Sequence, residues 1–371
     1  MIKFPKLKIY DKYIFNQVLT TSVVAILLFT VVWIAPEMLL NTIKAVLAGQ
    51  YSPKTGVLIL VCQLPLILSK AFPVGLLLGS LFTFDKLSKD SELTIFRAVG
   101  MSFKRIVAPV IVLSLIFTVL CYITSDRLVP LAADKMARVK NDSILTQYIY
   151  TQKDQNDIPM NSVIVSRYFR GKMENVIVLD FSSKKYDDVH QLSDIYFAKT
   201  GTIEKSKWVI KDVTRYQISS DGIFVDIGKI PTMDILQGQA SQNAFTLMTN
   251  ATKKEREITN ADLKKYVNLL KSEQLEEEYH YMLNKYLQRF LHPFVCILLA
   301  ILGALLGFSK PREQRLVGFT IAIGCIFLYY ITLPFFDLLA EKGVLPPLIT
   351  ATFPPVAFMC AIGAFYKSKD L

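Results

Sequence analysis

The chain has 371 residues, 52% hydrophobic and only 20% charged, with a formal net charge of +11. Such apolarity excludes intrinsic disorder and fits a soluble domain poorly, so several membrane spans plus one polar domain are expected. The excess of Lys and Arg reads as cytoplasmic loops facing anionic lipid, with no nucleic-acid partner.

The N-terminus opens with Lys3, Lys6, Lys8 and Lys12. It resembles the start of a signal peptide, but the apolar run that follows is too long and no small-x-small site ends it, so no cleavage is expected. Six apolar segments follow, at about Phe15–Ala35, Val57–Phe84, Ile106–Thr124, Phe290–Phe308, Leu316–Ala340 and Val344–Tyr366. Each is near or above the roughly 20 residues that cross about 30 Å of hydrocarbon. Pro65 and Pro73 should tilt or kink the second. The short loops hold 14 basic residues on the N-terminal side of the membrane against Lys44, Lys54 and Lys342 on the other, so both termini are expected inside. The five cysteines, Cys62, Cys121, Cys296, Cys325 and Cys360, all lie in apolar stretches and are expected to be buried free thiols.

In the second span, Lys70 lies some 20 Å from the outer end, too deep for easy snorkelling. It faces either a wet cavity or a partner charge, or a break between the two prolines brings it to an interface. After this span, Ser88 can cap a short helix within the segment of about residues 88–100, some 11 residues and roughly 16 Å long. Asp90 and Glu92 fall in its first turn, Arg97 near its end, and Gly100 suits the position after it. Leu93 and Phe96 share a face beside Glu92. This helix either docks in a groove of a cytoplasmic partner or rests on lipid.

From about Ser162 to Phe245 the pattern is short strands. ENVIVLDFS alternates, with Ile177, Leu179 and Phe181 on one face, and turns are expected at Arg170-Gly171, Thr200-Gly201 and Asp221-Gly222. An antiparallel sandwich, jelly roll or open barrel fits. From Thr259 to Arg289 the pattern is helical, with Asn260 as N-cap, running into the fourth span; Glu276–Glu278 reads as a solvated face. The expected division is three spans in 1–124, a β-domain in 125–258, a connecting helix in 259–289 and three spans in 290–371.

No catalytic or metal-binding set emerges. Gly171-Lys172 and Gly228-Lys229 lack the surrounding residues of an ATP-binding loop, and His190, His280 and His292 are scattered. Asp337, at the outer end of the fifth span, reads as an interfacial acid. The chain is expected to be no enzyme, to need no cofactor and not to hydrolyse ATP itself.

Several segments together carry a resemblance. They are Tyr13-Ile14 after the basic start, Leu64-Pro65, the run from Phe72 to Gly79, the run from Ser91 to Ser102, Tyr329-Tyr330, and the run from Gly343 to Pro347. The chain resembles the LptF/LptG (YjgP/YjgQ) permease family over nearly its full length. It departs at Thr352, where the family often has Trp, and at Pro355, where Asn is frequent. The resemblance implies six transmembrane helices in a 3+3 layout with an inserted periplasmic domain of β-jellyroll type, in the inner membrane. It implies pairing with a second such permease, or a second copy of the chain, around a central cavity. It further implies an LptB-like ATPase dimer below and an LptC/LptA-like bridge above, moving lipopolysaccharide or a related glycolipid. The residues Glu92, Leu93, Phe96, Arg97 and Gly100 would form the ATPase-coupling helix. Lys70 and, at the outer mouth, Lys44 would meet the anionic lipid. A permease for another lipid or lipoprotein, and a non-transporting mechanotransmission or scaffold subunit, are the competing readings.

Overall fold

A computed structural model describes residues 9–34, 38–140, 145–153, 159–169, 172–181, 184–186, 189–204, 207–219, 223–251, 253–308 and 315–368. Lys3, Lys6, Lys8, Lys310, Arg312, Lys369 and the expected turns Arg170-Gly171 and Asp221-Gly222 lie outside them. The chain forms two compact units, one of residues 1–136 with 255–371 and one of residues 137–254.

In the first unit, α1 (Ile9–Ile34) and the short α2 (Leu40–Leu47) precede α3 (Pro53–Lys89). Ser52 caps α3, accepting from the Thr55 amide at 3.2 Å, and Pro53 supplies a first-turn residue that needs no donor. The helix is unbroken for 37 residues, through both internal prolines. Pro73 has no N–H to give the Ser69 carbonyl one turn back. The Cys121 thiol, from another helix, reaches that carbonyl at 3.4 Å. After α4 (Glu92–Ala98), α5 (Phe103–Ile123) continues through a π-helical turn, Thr124–Leu128, into α6 (Val129–Lys140).

The six helices long and apolar enough to cross a membrane are Ile9–Ile34, Pro53–Lys89, Phe103–Val139, Glu276–Gly307, Val317–Glu341 and Pro347–Lys367. Their interfaces follow the rule for lipid, where small residues let backbones approach. Gly75 and Gly79 turn to α1: a Cβ on Gly79 would lie 2.6 Å from the Ser22 Cα. Across α3, the carbonyl of Leu77 would lie 2.2 Å from a Cβ on Gly303 of α9 (Glu276–Gly307). One core joins Ile14, Leu76, Phe84 and Ile106, and a second joins Leu77, Leu81, Leu299, Leu302 and Tyr329. The last two helices are α10 (Arg315–Glu341) and α11 (Pro347–Ser368). Of the cysteines, all free, only Cys121 and Cys296 are buried; Cys360 is exposed on α11 because an apolar span shows one face to lipid.

The connecting helix is divided. α8 (Asn260–Ser272) is capped by Thr259, which accepts from the Asp262 amide at 3.3 Å. Gln274, with φ +56°, breaks the chain before α9 begins. Asn260 is therefore not the cap. Its amide donates to Asp126 at 2.8 Å, its side chain donates to Tyr122 at 3.1 Å, and its Oδ1 accepts from Arg289 at 2.9 Å. Glu276–Glu278 are exposed in the first turn of α9, where acids complement the helix dipole.

The second unit holds eight described strands: β1 (Leu145–Lys153), β2 (Pro159–Phe169), β3 (Lys172–Asp180), β4 (Lys184–Tyr186), β5 (Val189–Gln191), β6 (Asp194–Glu204), β7 (Lys207–Ile218) and β8 (Phe224–Gln237). Six form one antiparallel sheet in the order β1-β2-β3-β6-β7-β8, and β4 pairs with β5. A helix, α7 (Gly238–Ala251), follows where the sequence pattern had suggested continued strand. Thr200-Gly201 lies inside β6, not in a turn; a Cβ at Gly201 would meet Met173 Cε at 2.9 Å.

The alternation in β3 is real, but its buried residues are Met173, Val176 and Val178, while Ile177 and Leu179 are half-buried on the opposite face. Asn175, at φ +50°, separates Met173 from Val176, and Asp212, at φ +54°, separates Ile210 from Val213 on β7. Left-handed backbone is tolerated by Asn and Asp, and it shifts the side-chain alternation by one. Residues three apart thus reach the same buried face on both strands.

Candidate functional site

The segment after α3 differs from the sequence expectation. Ser88 is buried within α3 and donates to the Gly307 carbonyl at 3.1 Å, so it caps nothing. Ser91, at φ +61°, breaks the chain, and α4 has 7 residues, about 10 Å of helix. Its end is as expected. Gly100 has φ +85°, its amide donates to the Arg97 carbonyl at 2.9 Å, and the Met101 amide donates to the Phe96 carbonyl at 3.1 Å. This closing motif satisfies two otherwise orphaned carbonyls.

Leu93 and Phe96 share a face as the spacing requires, but that face turns inward. Leu93 is 3% exposed in the core of its own unit, and Phe96 is half-buried against it, its ring 6.3 Å from that of Tyr10. Glu92 accepts from the Tyr13 hydroxyl at 3.0 Å, and Arg97 lies over the Phe308 ring at 5.6 Å. The large apolar residues offered outward are Ile95 on α4, 59% exposed, and Val99 at its C-terminal cap, 76% exposed, one turn apart. Sequence reading missed this pair because periodicity defines two faces and does not say which one the core takes.

Lys70 lies about midway along α3, roughly 26 Å from Pro53. It lines a cavity of about 400 Å³ within the first unit, with α9 and α10 contributing most of the wall. Its ammonium sits 5.3 Å from the Trp33 ring centroid. Lys44 is exposed in the last turn of α2 and is not part of this wall.

The α9 and α10 part of the wall carries a polar network that the sequence did not announce. Asp337 on α10 accepts from Asn284 at 2.8 Å, from Gln288 at 2.8 Å and from the Lys285 ammonium. Asn284 is fully buried, and its Oδ1 accepts from Thr350 of α11 at 2.9 Å. Three helices are thereby joined at one carboxylate. Asp337 is thus no plain interfacial acid, and only partners some fifty residues away reveal it. Nearby, His292 and the Tyr329 hydroxyl share a 2.8 Å hydrogen bond, and Tyr330 donates to the Lys70 carbonyl at 2.9 Å. Four basic residues reach the cavity (Lys70, Arg256, Lys285 and Arg289) against two acids, Glu255 and Asp337. The chamber can therefore hold an anion beside an apolar wall of Leu66, Val129 and Leu333.

Six bilayer-length helices, five of which line a charged chamber, with a separate antiparallel sheet inserted, define a multi-pass membrane protein. The chain belongs to the LptF/LptG family: residues 12–368 match the family described as lipopolysaccharide export system permease LptF/LptG. No curated protein matches it significantly.

Proposed function

We propose that the chain is the permease subunit of an ABC transporter that lifts lipopolysaccharide or a related glycolipid out of the inner membrane. The observation that carries this reading is the family match across residues 12–368. In this reading both termini are cytoplasmic. The sheet unit is periplasmic, of jellyroll type, and hands lipid to an LptC/LptA-like bridge. The chain pairs with a second LptF/LptG-type permease or with itself, hydrolyses no ATP, and is driven by an LptB-like ATPase dimer. Lys70, and Lys44 at the outer mouth, meet the anionic groups of the lipid; a lysine at mid-span costs roughly 2.5–3.5 kcal/mol unless it reaches water or an anion.

The coupling role divides within the segment. Leu93, Phe96 and Gly100 hold α4 to its own bundle, Glu92 and Arg97 flank it, and Ile95 with Val99 enters the ATPase groove. An apolar pair one turn apart is the anchor a helix needs in such a groove. The test is co-purification of the ATPase with tagged permease. Ile95→Asp and Val99→Asp should each lower ATPase recovery about tenfold or more while the permease stays folded, as loss of a central interface anchor does. Full recovery with both variants, together with unchanged lipid release, would refute the coupling reading.

A further inference from the structure

The six-stranded sheet does not close on itself. Its edge strands, β1 and β8, are not paired with each other, and α7 packs against β1 at one edge and against β7 and β8 at the other. The helix lies over one face of the sheet. The Phe245 ring on α7 meets that of Tyr168 on β2 at 6.4 Å. Tyr168 stands opposite Met173, and a Cβ on Gly201 would meet both Met173 and Ile210, so these residues share that face. Trp208, two residues before Ile210 on β7, shares it by strand alternation. Trp208 is fully buried, yet its indole N–H has no acceptor among the described residues.

The buried side of α7 is made by Ala244, Leu247 and Met248, and no residue of Gly238–Ala251 is charged. The side chains of Gln239 and Thr246 donate within the helix, to Asn243 at 3.2 Å and to the Gln242 carbonyl at 2.8 Å. Lifting α7 therefore breaks no ion pair of its own and strands no charge; its cost is apolar contact, which another apolar chain on the same face restores. The joint to β8 is Gly238, at φ +61°, with nothing within 4 Å of the Cβ it lacks. A left-handed glycine in open space can turn without a clash. At its other end α7 stops shortly before Glu255, whose carbonyl accepts from the Arg289 guanidinium of α9. We propose that α7 is a displaceable plug, which covers the apolar face of the sheet until an acyl chain takes its place and which turns about Gly238. The proposal rests on the export reading, in which this unit carries lipid, and adds the segment that keeps the unit shut. A carboxyl or ester oxygen of the incoming chain accepts from the Trp208 indole and satisfies the unmet donor.

The chain has 2 tryptophans, so Trp33→Phe leaves Trp208 as the sole reporter. The full chain is purified in detergent with that change, Cys360→Ser, Tyr168→Cys and Phe245→Cys, and a bismaleimide with a cleavable spacer joins the last two positions. Dibromostearic acid, which quenches tryptophan at short range, is then titrated. It should quench Trp208 in the unbridged and the cleaved protein; in the bridged protein the concentration required should rise at least about tenfold, because only the open form binds. Met248→Ala loosens the seat and should lower that concentration about threefold or more without the bridge, and the bridge should cancel the gain. A helix with a merely structural role would not bind the probe more tightly when weakened. Equal quenching with and without the bridge overturns the plug, and so does absence of quenching in every form. None of these substitutions touches α4, so ATPase co-purification reports on the export reading separately.

Discussion

Asp337 shows how much one carboxylate can organise. It sits 12% exposed against an ammonium 17% exposed, with two amide donors completing its shell. Asp337→Ala would leave Lys285 without its carboxylate and strand the Asn284 and Gln288 donors. Removing one partner of a buried pair typically costs about 3–5 kcal/mol, while replacing both by apolar groups is often near neutral. Asp337→Ala should therefore lower the thermal midpoint in detergent markedly, and Asp337→Leu with Lys285→Met should recover most of the loss. Equal midpoints for single and double variants would show that the pair is not coupled. Lys70 was legible from the sequence because depth alone makes a mid-span lysine unusual. Asp337 was not, because Asn284 and Gln288 carry no local pattern that points to it. Leu93 and Phe96 fall between: their common face was legible, its inward direction was not.

At the scale of elements, backbone approach is the sharpest constraint. A Cβ at Gly303 would fall 2.2 Å from the Leu77 carbonyl oxygen, which cannot yield without moving α3. Overpacking of this kind costs about 1–3 kcal/mol or more. Gly303→Leu should depress the thermal midpoint, whereas Gly324→Leu, with nothing within 4 Å of its Cβ, should not. A second prediction concerns α8. Burial, with help from Glu278, pushes the Tyr266 hydroxyl up to about 12. A group with a raised folded value contributes stability below its ordinary pKa, near 10, and loses it as pH climbs toward 12. Hydrogen exchange in α8 should therefore quicken beyond its intrinsic rise above about pH 10, and Tyr266→Phe should remove that step. The spans were legible because bilayer thickness imposes length and apolarity on sequence. The break at Gln274 and the helix α7 were not: a left-handed Gln carries no Gly or Pro signal, and α7 has too few apolar residues to announce a period.

For the whole molecule, the charge asymmetry of the short loops predicts a topology. Cysteine placed at Lys211 in β7 should be labelled by a membrane-impermeant maleimide from outside, and cysteine at Lys367, near the end of α11, should be protected. The opposite pattern would invert the molecule. Cys360→Ser removes the one exposed native thiol from the background.

The glycine contacts on both sides of α3 have a mechanical meaning. α1 and α9 touch its backbone almost directly, and Ser88 fastens its end to Gly307. Such interlocked rods, α3 being about 55 Å long, cannot slide past one another and must move as one lever. α4 follows α3 after only two residues, Asp90 and Ser91, and Leu93 is rooted in the same core. A push on α4 would therefore be passed to α3 and the helices locked to it. α10 also meets α9 closely, at Gly318 against the Leu306 carbonyl, and adds polar fastenings through the hydroxyls of Tyr329 and Tyr330 and the carboxylate of Asp337. Any movement of α10 against the lever would have to exchange those polar fastenings for other partners, along the wall that Lys70 lines.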